Sequence, residues 1–436
     1  MGTYFNPSNE GFRKSAQDEI YIDKSGLLNI LNKKLRAEKN CISVSHARRF
    51  GKSQAAEMID AYYSKGCNSK ELFSPLEISK SPDFEKHLNK YNVIHLDISS
   101  FADDYTDNLV NEIKRHIFNE FKEIYPDIDY TNSTASVFKQ VYDKTEVTNN
   151  GISVKTPFVI IIDEWDCVVR NFSDKPELVH EYLQFLHALF KSKESKEFLA
   201  LGYITGILPI KKIKDESALN NFREYTMIDS KEFTPYFGFT EDEVKTLCKK
   251  YKMNLDSVKA WYDGYLINGQ HMYNPNSVYQ AMIDHRLESY WKNTSAFDTI
   301  NTFITLNFDG LKDDVLNMLK DEKIKVNTDK FKNDFSVINS KDDALTALIH
   351  LGYLSYDNER KKAFIPNFEV ATAFHLALET GNWNEIADTA IKQIKEKRYA
   401  GNLKGYSDEI LLVGVNYDKE TKKHECIIES INNYGG

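Results

Sequence analysis

The segment PFVIIIDEWD, residues 157–166, constrains the fold of this chain more than any other. Phe158 to Ile162 are apolar without a break, and Asp163 and Glu164 follow at once. A strand with one wet face alternates polar and apolar residues. A continuous apolar run needs cover on both faces, as in a parallel sheet flanked by helices. Three other stretches read as buried strands: CISVSH (41–46), NVIHLDIS (92–99) and FLALGYITGI (198–207). Helices are predicted between them. One is KSQAAEMIDAYYSKG, ending at Gly66. A second is TDNLVNEIKRHIFNEFKEIY, with Leu109, Ile113, Ile117 and Phe121 along one face. A third is PELVHEYLQFLHALFKSK. Strands alternating with helices predict an α/β fold built on a doubly wound, mostly parallel sheet.

The pattern changes near residue 236. FTEDEVKTLCKKY, LDSVKAWYDGY and PNSVYQAMIDH read as short helices separated by Gly, Asn and Pro. KDDALTALIHLGYLSYDNERKKAFIPN then reads as a helix and a hairpin turning at DNER, the outline of a winged helix. That outline serves as a packing module as well as a nucleic-acid reader. The 436 residues suffice for about two or three domains. The expected division is 1–235 (α/β), 236–383 (helical, winged-helix-like) and 384–436 (a short α/β tail). A net charge of −9 does not advertise nucleic-acid binding by the whole chain, though a local basic face is compatible with it. No apolar run reaches the ~20 residues that span a bilayer, and the first 20 residues hold no signal-peptide core. The five cysteines are scattered without a CxxC, which argues against structural zinc and disulfides and fits a reducing, cytoplasmic location.

CISVSHARRFGKSQAAEMI, residues 41–59, carries the chemistry. A phosphate-binding loop needs G-x-x-x-x-G-K-[ST] between a strand and a helix. Here Gly51, Lys52 and Ser53 fit, while His46 holds the first glycine position. Gly51 lets the backbone approach phosphate oxygens, Lys52 reaches them as a point charge, and Ser53 offers a hydroxyl to Mg²⁺. Taken alone, GKS also fits a cationic surface turn. The acidic pair changes the weighing. Ligands of open α/β sheets bind at the carboxyl ends of strands. An Asp163 placed there supports Mg²⁺, and a neighbouring Glu164 orients or deprotonates water. Thr205, at the end of a further apolar strand, is a candidate contact to the terminal phosphate or the attacking water. Threonine is also simply a good strand former.

These stretches resemble a family of bacterial AAA-ATPase-like proteins that usually end in a PD-(D/E)XK nuclease-like domain. The matching residues are YIDKS (21–25), ARRFGKS (47–53), IIIDEWD (160–166) and YITGILPIKK (203–212). They continue with ALNNFRE, YFGFTEDEV, WYDGYLINGQHMYNPNSV, YWKNTS, LIHLGYLSY and IPNFEV. The family loop usually reads R-P-R-R-F-G-K-S, so the resemblance implies a working phosphate site without the first glycine. It implies nucleotide-binding roles for Arg48, Arg49, Phe50, Gly51, Lys52, Ser53 and Gln54. It also implies Mg²⁺ on Ser53 and Asp163, and catalytic roles for Glu164, Asp163 and Thr205. Arg48 and Arg49 serve either as anchors of the loop or as phosphate contacts. Tyr21 to Lys24 are expected at the adenine end. Arg223 is a candidate arginine for a neighbouring subunit's site.

The tail departs from the family. AIKQIKEKRY resembles the helix that follows the nuclease Glu-x-Lys strand, and EILLVGVNYDKETKKHECIIE resembles the closing strands. The segment that should hold the catalytic Asp and Glu-x-Lys is missing. Asp408, Glu409 and Asp418 are the nearest acids, at a strand start and in a hairpin turn. A nuclease-fold remnant without cleavage activity is expected. The expected function is ATP binding with slow, Mg²⁺-dependent hydrolysis used as a conformational switch, with self-association or a protein partner. The alternative is a non-hydrolysing, nucleotide-gated scaffold or a winged-helix DNA- or partner-binding protein. WYDGYLINGQHMYNP reads as a structural corner, so Asp263 and His271 are weak site candidates.

Overall fold

Among the described residues, seven strands precede residue 230: β1 (Cys41–Ser45), β2 (Asn92–Asp97), a short antiparallel ribbon of β3 (Val147–Asn149) and β4 (Ile152–Val154), β5 (Phe158–Asp163), β6 (Leu199–Gly206) and β7 (Arg223–Thr226). Five of them form one parallel sheet in the order β2–β5–β6–β1–β7. This computed structural model describes residues 2–105, 107–149, 152–210, 219–291, 300, 303, 308–331, 338, 340–380, 410–417 and 424–431.

The unbroken apolar run is explained by two layers of cover. Phe158, Ile160 and Ile162 face one core with Leu109, Ile113, Ile117 and Phe121 of the helix Leu109–Ile124. Val159 and Ile161 face the other, with Ala56, Ile59 and Tyr63 of the helix Lys52–Tyr63. All six residues of β5 are buried. Each large apolar side chain so placed contributes about 1.5–3 kcal/mol, which fixes β5 as an inner strand. The helix after the loop stops at Tyr63, short of the Gly66 expected from sequence. Ser64 takes an extended conformation, donates its hydroxyl to the Pro7 carbonyl at 3.1 Å and bridges to Tyr91. Tertiary capture, not a glycine, ends the helix.

Beyond the sheet, β8 (Phe239–Thr240), β9 (Tyr265–Ile267) and β10 (Gln270–Tyr273) form an antiparallel sheet in the order β8–β10–β9. The β9–β10 turn is Asn268-Gly269, both at positive φ, the two-residue turn that matches strand twist. A capping box of Thr240 and Glu243 opens the helix Glu241–Tyr251. The expected helix and hairpin are present as Lys341–Leu351 followed by β12 (Ser355–Asp357) and β13 (Lys362–Phe364). An upstream strand, β11 (Ile324–Lys325), adds to the hairpin in the order β11–β13–β12. In the tail, β14 (Ile410–Tyr417) and β15 (His424–Ile431) pair antiparallel along their whole length. The expected AIKQIKEKRY helix and Asp408, Glu409 and Asp418 lie outside the described residues. Among the described residues no helix is long and apolar enough to cross a membrane.

Candidate functional site

The parallel register brings three strand ends to one edge of the sheet. Val44 of β1 pairs with Thr205 of β6, and Ile162 of β5 pairs with Ile204. The loop 46–51 leaves β1 there. Gly51 caps the following helix at φ +86°, a conformation that favours glycine. Arg49, at φ +68°, is a non-glycine residue in the same region. His46 is absent from the positive-φ residues, so the loop's exit from β1 does not demand a glycine. Its imidazole fills buried space, stacks on Phe237 with centroids 5.1 Å apart, and shares a hydrogen bond through Nε2 with the Ser230 hydroxyl. That is the structural answer to the missing first glycine.

Burial, with the Lys52 charge nearby, drives the His46 pKa down to about 3. The unfolded chain therefore binds a proton below about pH 6.5 that the native state refuses. Stability is expected to fall as pH drops from that value toward about 3, by ~2–3 kcal/mol at pH ~4.5 from this group. Urea melts of wild type and His46→Gln at pH ~7 and ~4.5 check the sign. The variant should lose less stability on acidification, and a parallel loss in both proteins would refute the assignment.

Lys52 is buried and folds back to donate to the Ala47 carbonyl at 3.0 Å. Its Nζ lies 4.0 Å from Glu164 Oε1. Burial lowers the Lys52 pKa, against the pull of Glu164, Asp163 and Asp166. Burial raises that of Glu164, opposed first by Lys52. Glu164 stands at φ +50°, so the acidic turn is left-handed at that residue. Its other oxygen, Oε2, accepts from Arg170 Nη2 at 3.0 Å. Asp163 is buried, and its Oδ1 accepts from the Glu164 amide at 3.0 Å and from the Thr205 hydroxyl.

One cavity of about 780 Å³ lies against the loop and Glu164. Arg48 to Gln54 and Glu164 line it together. Ser53 and Gln54 are exposed at the head of the helix. Phe50 reaches the lining but is fully buried, edge-on to Tyr265 at 5.1 Å. Arg49 donates to the Tyr290 carbonyl at 3.2 Å, and the Arg48 carbonyl accepts from Asn274 at 3.5 Å. Tyr21, Ile22 and Lys24 line the same cavity. Asp163 and Thr205 are not in the lining. The Thr205 hydroxyl donates to Asp163 Oδ1. Arg223 lies on β7, 3.6 Å from Glu232 and outside the cavity. Asp263 and His271 meet each other at 3.1 Å, also outside the lining.

The structure adds residues that sequence reasoning missed. Ser99 and Asp103 line the acidic side, and Asn276, Tyr279 and Gln280 close the cavity from the helix Pro275–Asp284. Asp166 is fully buried, and its Oδ2 accepts from the Ile207 and Leu208 amides at 3.2 and 2.9 Å and from Arg170 Nε at 2.9 Å. The spacing of Asp166 and Arg170, four apart in DEWDCVVR, is the one signal that points to this pair in the sequence.

Among the described residues no group of three or more His, Cys, Asp or Glu is placed to hold a metal ion. Mg²⁺ keeps several waters and is usually held by one or two protein ligands with substrate phosphates. The exposed Ser53 hydroxyl and an Asp163 with one oxygen already committed fit that sparse pattern.

An uncharacterized protein in the vnfD 5′ region of Azotobacter chroococcum mcd 1 is 27% identical over 139 residues, which are 31% of this chain and 27% of that protein. The match therefore spans about a quarter of that relative's length. Solved structures similar to this chain include the replication initiator DnaA bound to AMPPCP and single-stranded DNA, with a TM-score of 0.32, 11% identity and 90% and 93% of the two chains covered. A Walker-type ATPase of Pyrococcus abyssi gives 0.36, 12%, and 81% and 94%. The ORC2 protein of Aeropyrum pernix, in ADPNP–ADP complexes, gives 0.35, 10%, and 86% and 97%. Over residues 10–214 the chain matches the model of the AAA-ATPase-like family, described as a predicted AAA-ATPase.

Proposed function

We propose that this chain binds ATP in the cavity and hydrolyses it slowly with Mg²⁺, as a conformational switch. The observation that carries the reading is the convergence of Arg48–Ser53 and Glu164 on one cavity, with Lys52 4.0 Å from Glu164. The match to the AAA-ATPase-like family over residues 10–214 supports nucleotide binding. Lys52 would exchange the Ala47 carbonyl for phosphate oxygens. Tyr21 and Ile22 would border the base. Mg²⁺ would be held by Ser53 and, through water, by Asp163, and it supplies charge neutralisation on the phosphates. Glu164 takes a proton from water as the water oxygen bonds to the γ-phosphorus. The bond from that phosphorus to the β–γ bridging oxygen breaks, and ADP carries away the electron pair.

The contacts of the loop with later residues support the switch. Gly238 donates its amide to the Phe50 carbonyl at 3.1 Å, and Tyr265 packs on the Phe50 ring. A loop rearranged by phosphate would move these contacts. The same contacts support the second reading, a scaffold that binds nucleotide and does not turn it over. The tail, on its sequence, is proposed to lack nuclease activity, and the change of architecture near residue 236 supports the first proposed domain boundary. A cytoplasmic location and self-association remain part of the proposal.

The test is ATP binding and phosphate release by the purified protein, with and without Mg²⁺, beside Lys52→Ala. Saturable binding weakened at least ~100-fold in the variant is expected, because a buried cation aimed at phosphate is lost. Equal binding by both proteins would remove the site from this loop. The same preparation is expected not to cut DNA with Mg²⁺ or Mn²⁺, and cutting would overturn the reading of the tail.

A further inference from the structure

Arg170 is unassigned by the loop-and-acid reading, yet it touches two acids of the acidic turn, Glu164 and Asp166. Its Nε sits 2.9 Å from Asp166 Oδ2 and its Nη2 3.0 Å from Glu164 Oε2. Asp166 is an unusual anchor. It is fully buried, and the same oxygen takes two backbone amides from the loop that follows β6. Its carboxylate is thus tied to the loop that follows β6 as well as to the helix that it caps and that carries Arg170. A Cβ on Gly206 would stand 2.9 Å from the Asp166 carboxyl carbon, so the glycine there leaves room for this anchor.

The two oxygens of Glu164 are divided. Oε2 is on the guanidinium, while Oε1 is the one near Lys52. Arg170 and Glu164 both line the cavity. A planar fork with several fixed donors can hold two carboxylates at once, and an ammonium cannot do so with the same geometry.

We infer that Arg170, braced by Asp166, is a positioning residue that holds one Glu164 oxygen so that the other faces the water to be activated. The inference rests on the proposed hydrolysis. Once phosphate draws Lys52 away, Arg170 is the remaining ion-pair partner of Glu164 among the described residues, so the orientation of the carboxylate depends on it. Glu164 itself stands in a left-handed turn, and its backbone alone does not decide which oxygen faces the cavity. Fixed orientation of a catalytic group is worth orders of magnitude in rate.

The experiment compares steady-state ATP turnover and ATP binding in wild type, Arg170→Ala and Arg170→Lys, with guanidinium ion added at millimolar concentrations. The expected result is kcat lowered ~50- to 200-fold in Arg170→Ala with KM and ATP affinity within ~3-fold of wild type. Guanidinium should restore at least several-fold of the lost kcat, and Arg170→Lys should be rescued poorly by its own charge. A role in folding alone predicts no guanidinium rescue. If Arg170→Ala does not fold, Arg170→Gln, which still donates to Asp166, replaces it and should show the same loss of kcat. Unchanged or raised turnover in the folded variants would overturn the role of Arg170 and leave the hydrolysis reading standing. A rise in KM at constant kcat would overturn it too, since it would put Arg170 on the substrate. Absence of turnover in wild type that still binds ATP would sink hydrolysis and this role with it.

Discussion

Glu164→Gln is expected to keep ATP binding within a few-fold of wild type and to lower phosphate release by ~10²–10³. The substitution keeps the size of the side chain and its ability to accept from Arg170 Nη2, now 3.0 Å from Oε2. It removes the capacity to take a proton. General-base assistance of this kind contributes roughly 10²–10⁴ in rate. Glu164 is half-buried and faces the cavity beside Lys52, so no bulk-water base replaces it freely. Radiolabelled phosphate release and nucleotide titration on the same sample check both halves of the expectation. Turnover that survives in the variant would mean that Glu164 is structural and that the acidic pair only shapes the turn. Loss of binding together with turnover would mean that the amide disturbs Lys52, and would leave the base unassigned.

The largest expected effect on stability is at Gly264. It holds φ +107°, a left-handed value that costs other residues free energy, and its missing side chain faces backbone. A Cβ there would overlap the Pro366 carbonyl oxygen and stand 2.7 Å from its carbon. Backbone cannot rotate away as a flexible side chain does. The neighbouring carbonyl of Asp263 accepts from Asn367 at 2.8 Å, so the two segments are also tied by a hydrogen bond that any shift would break. Gly264→Ala is therefore expected to cost at least ~4 kcal/mol, within the range reserved for a few severe mechanisms. Gly269→Ala is the internal control. Its φ is +75° with nothing within 4 Å, so only the conformational cost of about 1 kcal/mol applies. Urea denaturation of the pair decides. Equal midpoints for the two variants would show that the Pro366 contact yields.

The parts of the fold that were legible in sequence share one property: their signal is local. PFVIIID reads as an inner strand because five adjacent side chains need burial, and burial on two faces has one common solution. The helix Leu109–Ile124 was legible from Leu109, Ile113, Ile117 and Phe121, all of which are fully buried. The place of Gly51, Lys52 and Ser53, at the junction of the loop after β1 with the following helix, was legible because that pattern lies in adjacent residues. What sequence missed depends on partners far along the chain. His46 is tolerated because Ser230 and Phe237 complete its pocket. Thr205 was legible as a strand end, but its hydroxyl goes to Asp163 because β6 lies between β1 and β5. The Asp166–Arg170 spacing was in plain view, yet its meaning rests on the left-handed turn at Glu164, which no residue pattern announces. The cavity wall at Asn276, Tyr279 and Gln280 comes from a segment whose own pattern says only amphipathic helix.

The underside of the loop has a consequence for how such a chain can change over generations. Ala47 and Phe50 are fully buried, and what covers them comes from later in the chain. A Cβ on Gly352 would stand 2.5 Å from that of Ala47, and the Phe50 ring meets Tyr265 edge-on. Tyr265 in turn donates its hydroxyl to the Gly352 carbonyl at 2.9 Å. The shape of residues 46–51 is thus specified partly by positions 265 and 352. A chimera that joins the first 235 residues of one such protein to the remainder of another inherits a loop moulded on a foreign surface. Ala47 with Gly352, and Phe50 with Tyr265, are expected to travel as matched pairs, so packing beneath the loop would filter recombination between the two halves.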